Sequence, residues 1–213
     1  MNISKNDMTL YLVTDRQWLK DGENLADAVE TAVKNGVTCV QLREKSATYA
    51  EFLSLAEELK PVCKKYSVPF IINDNVQVAK AVDADGVHIG QDDMTIETAR
   101  AILGSDKIIG TSAHNVAEAM KAVADGADYI GCGAVFGSAT KTDASFLGVE
   151  GLAEICTVCP LPVVAIGGIN KNNIMQLKHS GTDGVALVSA LFSPQDKTKA
   201  TARMLAMAKE ITK

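Results

Sequence analysis

Eight short apolar runs recur along this chain, and segments with helical spacing of apolar residues separate them. Near-continuous apolar character is typical of parallel strands whose outer face is covered by helices. The predicted strands are Thr9–Asp15, Thr38–Arg43, Pro69–Asp74, Gly86–Gly90, Lys107–Ser112, Asp128–Val135, Pro162–Gly168 and Gly184–Ala190.

The segments between these runs predict helices. They include Leu25–Lys34, Tyr49–Lys65, Thr95–Leu103, Val116–Ala124, Val149–Cys156 and Asn173–His179. A repeated dipeptide ending in glycine lies between a helical segment and a strand, which suits the left-handed residue that ends a helix. It occurs as Asn35-Gly36, Asp85-Gly86, Asp125-Gly126 and Asp183-Gly184.

Eight such β/α units in 213 residues predict an α/β fold of the (β/α)8 type, the TIM barrel. A doubly wound open sheet is the alternative, but it would not normally need eight such regular units. No low-complexity linker marks a boundary, so we expect a single domain over residues 1–213.

The composition limits the classes of partner. A formal net charge of -5 argues against a nucleic-acid surface, although it permits a local basic pocket. No apolar run reaches the roughly 18 residues that a membrane span needs, and the first residues lack a signal-peptide core. We therefore expect a cytoplasmic protein that acts on small molecules, without nucleic acid or membrane; a homo-oligomer is possible.

The cysteines are five in number and scattered. Cys156 and Cys159 form a C-x-x-C pair, which would suit redox chemistry or half of a metal site. The pair lies at the end of a predicted helix, just before Pro160, whereas a redox pair should open a helix where the dipole lowers a thiol pKa. No second C-x-x-C or histidine pair completes a zinc site. This pattern favours structural thiols.

Polar residues interrupt the second strand at its end. Gln41, Arg43 and Lys45 are two residues apart, so their side chains share one face, while Val40 and Leu42 face the other way. Two cations and an amide on one face are costly unless an anion meets them. The pattern therefore predicts a polyanion site at this strand end.

Two carboxylates follow neighbouring strands. Asp74 ends the third strand and Asp93 follows the fourth, and adjacent strands lie about 4.8 Å apart. Carboxylate oxygens near phosphate are a usual environment of Mg²⁺. Either aspartate could instead cap the next helix. Together with Arg43, Lys45 and Lys141, the pair favours a metal site.

The last two strands suggest a second anion site. They end at Gly167-Gly168 and at Val188-Ser189, and barrels often hold a phosphate between these two loops. The glycine pair alone would also suit a tight turn. The loop after the sixth strand is small and ends in a cation, Lys141.

Several separated motifs, in order between Tyr11 and Ser189, resemble the thiamine phosphate synthase family. They are Gln41–Lys45, Ile72–Asp74, Gly86–Asp93, Gly110–His114, Thr140-Lys141, Ile166–Gly168 and Val188-Ser189. The resemblance implies a (β/α)8 barrel that joins 4-amino-2-methyl-5-hydroxymethylpyrimidine diphosphate to a thiazole phosphate. The products would be thiamine phosphate and pyrophosphate.

The resemblance also implies roles for individual residues. Asp74 and Asp93 would bind Mg²⁺. The pyrimidine diphosphate would contact Gln41, Arg43, Lys45, Asn73, Ser112 and Lys141. The thiazole phosphate would contact Ser138, Thr140, Gly168, Val188 and Ser189. Where the family commonly has Thr-x-Thr, this chain has Ser138-Ala139-Thr140, and serine keeps the hydroxyl.

The reaction suggests a dissociative substitution in which diphosphate leaves before the thiazole nitrogen attacks. Arg43, Lys45 and Lys141 would stabilise the leaving charge, with Lys141 on a closing loop. No general base is required, and we assign no catalytic role to His88, His114 or His179. A thiazole tautomerase is one alternative, but it would need no complete diphosphate pocket. A non-catalytic phosphate-binding barrel is the other, and it explains Gly167-Gly168 but not the carboxylate pair.

Overall fold

The computed structural model describes residues 3–137 and 146–213. Eight parallel strands pair in chain order and the eighth pairs with the first, which closes the barrel and confirms the predicted fold. The strands are β1 (Leu10–Val13), β2 (Cys39–Leu42), β3 (Phe70–Asn73), β4 (Gly86–Ile89), β5 (Ile108–Ala113), β6 (Tyr129–Cys132), β7 (Val163–Ile166) and β8 (Gly184–Leu187).

Helices lie between the strands and cover the barrel. They are α1 (Leu25–Lys34), α2 (Tyr49–Lys65), α3 (Val76–Ala81), α4 (Ile96–Leu103), α5 (Val116–Asp125), α6 (Gly148–Val158), α7 (Ser189–Phe192) and α8 (Lys197–Ile211). Short 3₁₀ segments occupy Lys5–Met8, Arg16–Trp18 and Ile174–Leu177. Within the described ranges, no helix has both the length and the apolar character to cross a membrane.

Three departures from the predicted elements change which residues belong to a helix or a strand near the site. The helix expected over Asn173–His179 is a single 3₁₀ turn, Ile174–Leu177, and His179 has a positive φ of 72° that a continuing helix would not allow. Ser189 and Ala190 belong to α7 rather than to the eighth strand. The sixth strand ends at Cys132, short of the predicted Val135.

The strands are buried on both faces, which explains their continuous apolar character. In β1, Leu10 packs among the residues under the helices, whereas Tyr11 and Val13 belong to a second cluster inside the barrel. Met8 and Ile3 pack against this interior cluster from the amino-terminal side. The interior is therefore filled with side chains and closed at the end where the strands begin.

Aspartates tie the strands together at that amino-terminal end. Each accepts a hydrogen bond from a backbone N–H near the start of a neighbouring strand. Asp85 Oδ2 bonds Phe70 N at 2.8 Å, Asp128 Oδ2 bonds Ile109 N at 2.7 Å, and Asp183 Oδ2 bonds Val163 N at 2.9 Å. These carboxylates thus accept hydrogen bonds from backbone N–H groups near the strand starts.

The Gly-containing dipeptides divide into two kinds. Gly36 and Gly126 have positive φ values, 108° and 86°, and follow helices as predicted. Gly86 and Gly184 instead open strands β4 and β8, so the prediction that they end helices is wrong. A Cβ at Gly184 would collide with the carbonyl oxygen of Met8, so close backbone approach requires glycine there.

The cysteines behave as structural residues. Cys39 and Cys132 are buried in β2 and β6, and Cys156 lies in the last turn of α6. Burial raises the pKa of the Cys156 thiol to about 12 and also raises that of Cys159. Protonated thiols are poor nucleophiles, which supports the structural interpretation of the C-x-x-C pair.

Candidate active site

A cavity of about 400 Å³ opens at the ends of the strands where the polar residues were predicted to meet. It is lined by the described members of the predicted site: Gln41, Arg43, Lys45, Asn73, Asp74, Asp93, Ser112, Gly168, Val188 and Ser189. Ser138, Thr140 and Lys141 lie outside the described residues. The structure thus brings the described predicted residues together, while their individual roles stay predictions.

The end of β2 is held by the residues that follow β1. The buried Thr14 hydroxyl accepts a hydrogen bond of 3.0 Å from the Arg43 backbone N–H. Glu44 faces away from the cavity and binds Arg16 in a bidentate pair, with distances of 2.9 and 2.7 Å. Because the Glu44 side chain is only 6% exposed, this pair fixes the loop that presents Arg43 and Lys45.

Asp74 and Asp93 lie side by side at the cavity mouth. Burial first, and then the neighbouring Asp93 charge, raise the pKa of Asp74 to about 6, against the opposing effects of Lys45 and Asn73. Asp74 has a φ of 60°, a left-handed conformation that aspartate tolerates better than most residues. Two carboxylates in contact repel each other when both are ionised, so this arrangement favours a proton or a cation between them.

The helix-capping alternative for these aspartates is wrong. The N-cap of α3 is Asn75 and that of α4 is Thr95, and each caps with its own side chain. Asp93 instead accepts a hydrogen bond of 2.7 Å from the Gly90 N–H. Among the described residues, no cluster of three or more histidine, cysteine, aspartate or glutamate side chains is suited to a metal. Two carboxylates nevertheless fit Mg²⁺, which commonly completes its shell with water and substrate phosphate.

The glycine pair after β7 has a backbone explanation of its own. Gly167 and Gly168 have φ values of 102° and 65°. A Cβ at Gly168 would lie 2.5 Å from the carbonyl oxygen of Gly137, and one at Gly167 would lie 2.6 Å from Cα of Ala134. Glycine is therefore required for close packing against the β6 loop, and phosphate binding here remains a prediction.

Polar residues in the floor of the cavity and directly beneath it were not assigned to the site by the sequence interpretation. The Tyr11 and Tyr129 hydroxyls are 2.7 Å apart, and His88 Nδ1 is 2.9 Å from the Tyr129 hydroxyl. His88 Nε2 is 3.1 Å from Ser112 Oγ, a contact of the kind found between a nucleophile and its base. The only sequence signal was strand alternation, which turns Tyr11 and His88 toward the interior.

His114 also lines the cavity, from the loop after β5. Its Nδ1 lies 2.8 Å from Oε2 of Glu118, and its backbone N–H donates to the same oxygen at the same distance. Glu118 thus fixes both the ring and the backbone of His114 at the rim.

Comparisons with known proteins agree on one family. A family model described as thiamine monophosphate synthase matches residues 10–191. The chain is similar to thiamine-phosphate synthase of Caldanaerobacter subterraneus subsp. tengcongensis, with 51% identity over 187 residues and 87% of each chain covered. It is also similar to the Clostridium tetani enzyme of that name, with 47% identity over 194 residues and coverage of 91% and 92%.

A solved structure gives the same result. Thiamine phosphate pyrophosphorylase from Pyrococcus furiosus is 38% identical, with a TM-score of 0.90, and the match covers 98% of this chain and 99% of that one.

Proposed function

This chain belongs to the thiamine monophosphate synthase family, and from that membership we propose the reaction that its cavity performs. The enzyme is a transferase that joins the aminopyrimidine diphosphate to the thiazole phosphate and releases pyrophosphate. The observation that carries this proposal is the meeting of Arg43, Lys45 and the Asp74–Asp93 pair in one cavity. A polyphosphate leaving group needs both cations and metal-binding oxygens.

Two cations stabilise the departing charge. Arg43 and Lys45 follow β2 and line the cavity beside the carboxylate pair. The Arg16–Glu44 pair and the Thr14 hydroxyl fix this loop before substrate arrives. Charges that are already in place need no reorganisation in the transition state, and such preorganisation is commonly the largest contribution to catalysis. Lys141, from the sequence prediction, would add a third cation.

Asp74 and Asp93 would bind Mg²⁺ at the mouth. The raised pKa of Asp74 supports this, because a divalent cation between the two carboxylates would relieve their repulsion. When bound, Mg²⁺ supplies positive charge against the oxygens of the leaving diphosphate. Without a metal, burial and the neighbouring Asp93 carboxylate raise the pKa of Asp74.

We infer a dissociative substitution. The C–O bond to diphosphate breaks, its electron pair leaves with the diphosphate, and the aminopyrimidine stabilises the resulting cation until the thiazole nitrogen attacks. The cavity supplies alignment and exclusion of bulk water, since Tyr11, Gln41 and Asn73 form a buried floor. This route needs no base, so the Ser112–His88 contact must serve another purpose. A cytoplasmic location and a single domain over residues 1–213 are further parts of the proposal.

The direct test mixes both substrates with the purified protein and Mg²⁺ and follows thiamine phosphate and pyrophosphate. We expect both products in equal amounts, with activity lost in excess chelator and restored by added Mg²⁺. Diphosphate binding that depends on Mg²⁺ in calorimetry, without product, would instead indicate a non-catalytic phosphate-binding barrel. Proton exchange on a thiazole phosphate without coupling would indicate the tautomerase.

A further inference from the structure

A continuous chain of hydrogen bonds crosses the barrel interior beneath the cavity. Gln41 Nε2 lies 2.9 Å from the Tyr11 hydroxyl, which lies 2.7 Å from the Tyr129 hydroxyl. The Tyr129 hydroxyl lies 2.9 Å from His88 Nδ1, and His88 Nε2 lies 3.1 Å from Ser112 Oγ. Both ends, Gln41 on β2 and Ser112 on β5, line the cavity.

The direction of donation follows from the hydrogens available. An amide nitrogen only donates, so the Tyr11 oxygen accepts from Gln41. We direct the single Tyr11 hydrogen to the Tyr129 oxygen, because the sulfur of Cys39, which Tyr11 also contacts, is a weaker acceptor. The Tyr129 hydrogen is then directed to His88 Nδ1, which accepts. A neutral imidazole with Nδ1 as acceptor carries its hydrogen on Nε2, and that hydrogen is donated to Ser112.

The phenols retain their hydrogens in this chain. Tyr11 and Tyr129 are fully buried, and burial raises the pKa of each well above its usual range. A phenolate would accept from both sides and interrupt the order of donors. With both rings neutral, each hydroxyl passes on one hydrogen, and the state of one end determines the state of the other.

We propose that Tyr11, Tyr129 and His88 form an oriented relay that sets the hydrogen-bonding polarity of the two substrate-facing ends, Gln41 and Ser112. Ser112 accepts from His88, so its own hydrogen is available to an acceptor in the cavity. Gln41 uses its NH₂ group on Tyr11, so its carbonyl oxygen is available to a donor. The three inner residues are positioning residues, and His88 is not the base of a serine nucleophile.

This polarity suits a substrate that offers one acceptor and one donor, as an aminopyrimidine does through its ring nitrogen and its amino group. That part rests on the proposed function. The relay itself does not, because it can be observed in the ligand-free protein. It couples two residues on different strands through four hydrogen bonds, so a change at Gln41 should be detected at His88.

The test is the tautomer of His88 in the ligand-free protein, measured by long-range ¹H–¹⁵N correlation with labelled histidine. At about pH 8.5, above the ordinary imidazole pKa of about 6.5, we expect the Nε2–H form in the wild type. The variant His88→Gln identifies the signals. Gln41→Glu places an acceptor without hydrogens at the start of the relay, so every bond should reverse and His88 should become Nδ1–H. The ¹³C shift of the introduced carboxyl group verifies its ionisation.

Two further variants keep the test decisive. Gln41→Met removes the donor without adding charge, and it serves as the test if the glutamate variant does not fold. We expect it to yield a mixture of His88 tautomers. Tyr129→Phe cuts the relay, so adding Gln41→Glu to it should no longer change the His88 tautomer. An unchanged Nε2–H form in both Gln41 variants would overturn the relay, as would a tautomer change that persists when Tyr129 is absent.

A kinetic measurement connects the relay to the substrate. Tyr129→Phe should raise the KM for the pyrimidine diphosphate about 3- to 10-fold, as expected for the loss of one neutral hydrogen bond, and leave the KM for the thiazole phosphate unchanged. Equal changes in both KM values would contradict the assignment of the relay to the pyrimidine. If the tautomer reverses in Gln41→Glu as predicted but the wild-type protein forms no thiamine phosphate, the relay stands and the proposed function fails.

Discussion

The two ends of the barrel use aspartate in opposite ways. At the amino-terminal end, Asp85, Asp128 and Asp183 each accept a backbone N–H from a neighbouring strand. At the carboxy-terminal end, Asp74 lies against another carboxylate, Asp93, and its pKa is raised. The first arrangement satisfies the fold's own donors. The second creates repulsion that a proton or a bound cation would relieve. Stability is therefore assigned to one end and the proposed function to the other.

The largest expected effect is a loss of activity when an aspartate at the carboxy-terminal end is replaced. We expect Asp74→Asn and Asp93→Asn each to lower kcat/KM at least about 100-fold, because the proposed Mg²⁺ beside the leaving diphosphate would lose a carboxylate ligand. The Mg²⁺ concentration for half-maximal activity should also rise. Steady-state kinetics across a Mg²⁺ titration measures both, and wild-type behaviour in either variant would remove that aspartate from the site.

Replacing an aspartate at the amino-terminal end should instead lower stability and leave activity unchanged. Asp183→Ala should lower the free energy of unfolding by about 1 to 3 kcal/mol, because the buried Val163 N–H loses its acceptor. Activity per folded molecule should stay the same. Lys5→Ala removes only the 2.9 Å ion pair of an exposed lysine with Asp183, so it should have little effect in urea unfolding. Lost activity in folded Asp183→Ala would break the comparison.

The pH dependence of stability should show the raised pKa of Asp74, which burial and the Asp93 charge cause together. Because the folded-state pKa of Asp74 is raised from 3.8 to about 6, the folded protein binds the proton more tightly than the unfolded chain does. The free energy of unfolding therefore has a contribution that is present below about pH 4 and is lost as pH rises through about 6.

Asp74→Asn should remove this loss and make the metal-free protein more stable at neutral pH, by about 1 kcal/mol after allowance for solvent screening. Urea unfolding in chelator between about pH 4 and 8 tests it, with Asp183→Asn as the matched variant from the other end. A wild-type pH profile in Asp74→Asn would contradict the assignment of this pH dependence to Asp74.

The smallest expected effect concerns the Arg16–Glu44 pair, which holds the loop at the cavity rim. Arg16→Ala removes the bidentate partner of Glu44, and the loop carrying Arg43 and Lys45 should become less ordered. We expect a rise of about 2- to 5-fold in the KM for the pyrimidine diphosphate, because Arg43 and Lys45 would be held less firmly. Arg16→Lys keeps the charge but not the paired geometry, so full rescue by lysine would argue against positioning.

The barrel and the gathering of its polar residues were predictable because both follow from local patterns. Parallel strands read as apolar runs, and the carboxyl ends of such strands meet at one face, so Arg43, Asp74 and Asp93 were expected together. The helix α8 was not among the predicted helices, although Met204, Ala208 and Ile211 have helical spacing and are buried. Its low apolar content outside that stripe obscured the pattern.

The interior network was not predictable in the same way. Tyr11 and Tyr129 are 118 positions apart in the chain, and each looks like an ordinary strand residue. Their contact depends on the closure of the barrel, which brings non-neighbouring strands face to face across the axis. Likewise, the role of Gly184 depends on the backbone of Met8, a partner that the local sequence does not reveal.

The closed floor of the barrel has a consequence for the order in which substrates bind and products leave. Met8, at 0% exposure, and Ile3 pack beneath the interior cluster, so the cavity has its entrance at the opposite end. In the proposed reaction, both substrates and both products would pass through this entrance. The substrate that binds deeper in the cavity would therefore have to bind first. We therefore expect an ordered kinetic mechanism, in which product-inhibition kinetics show one product to be competitive with only one of the two substrates.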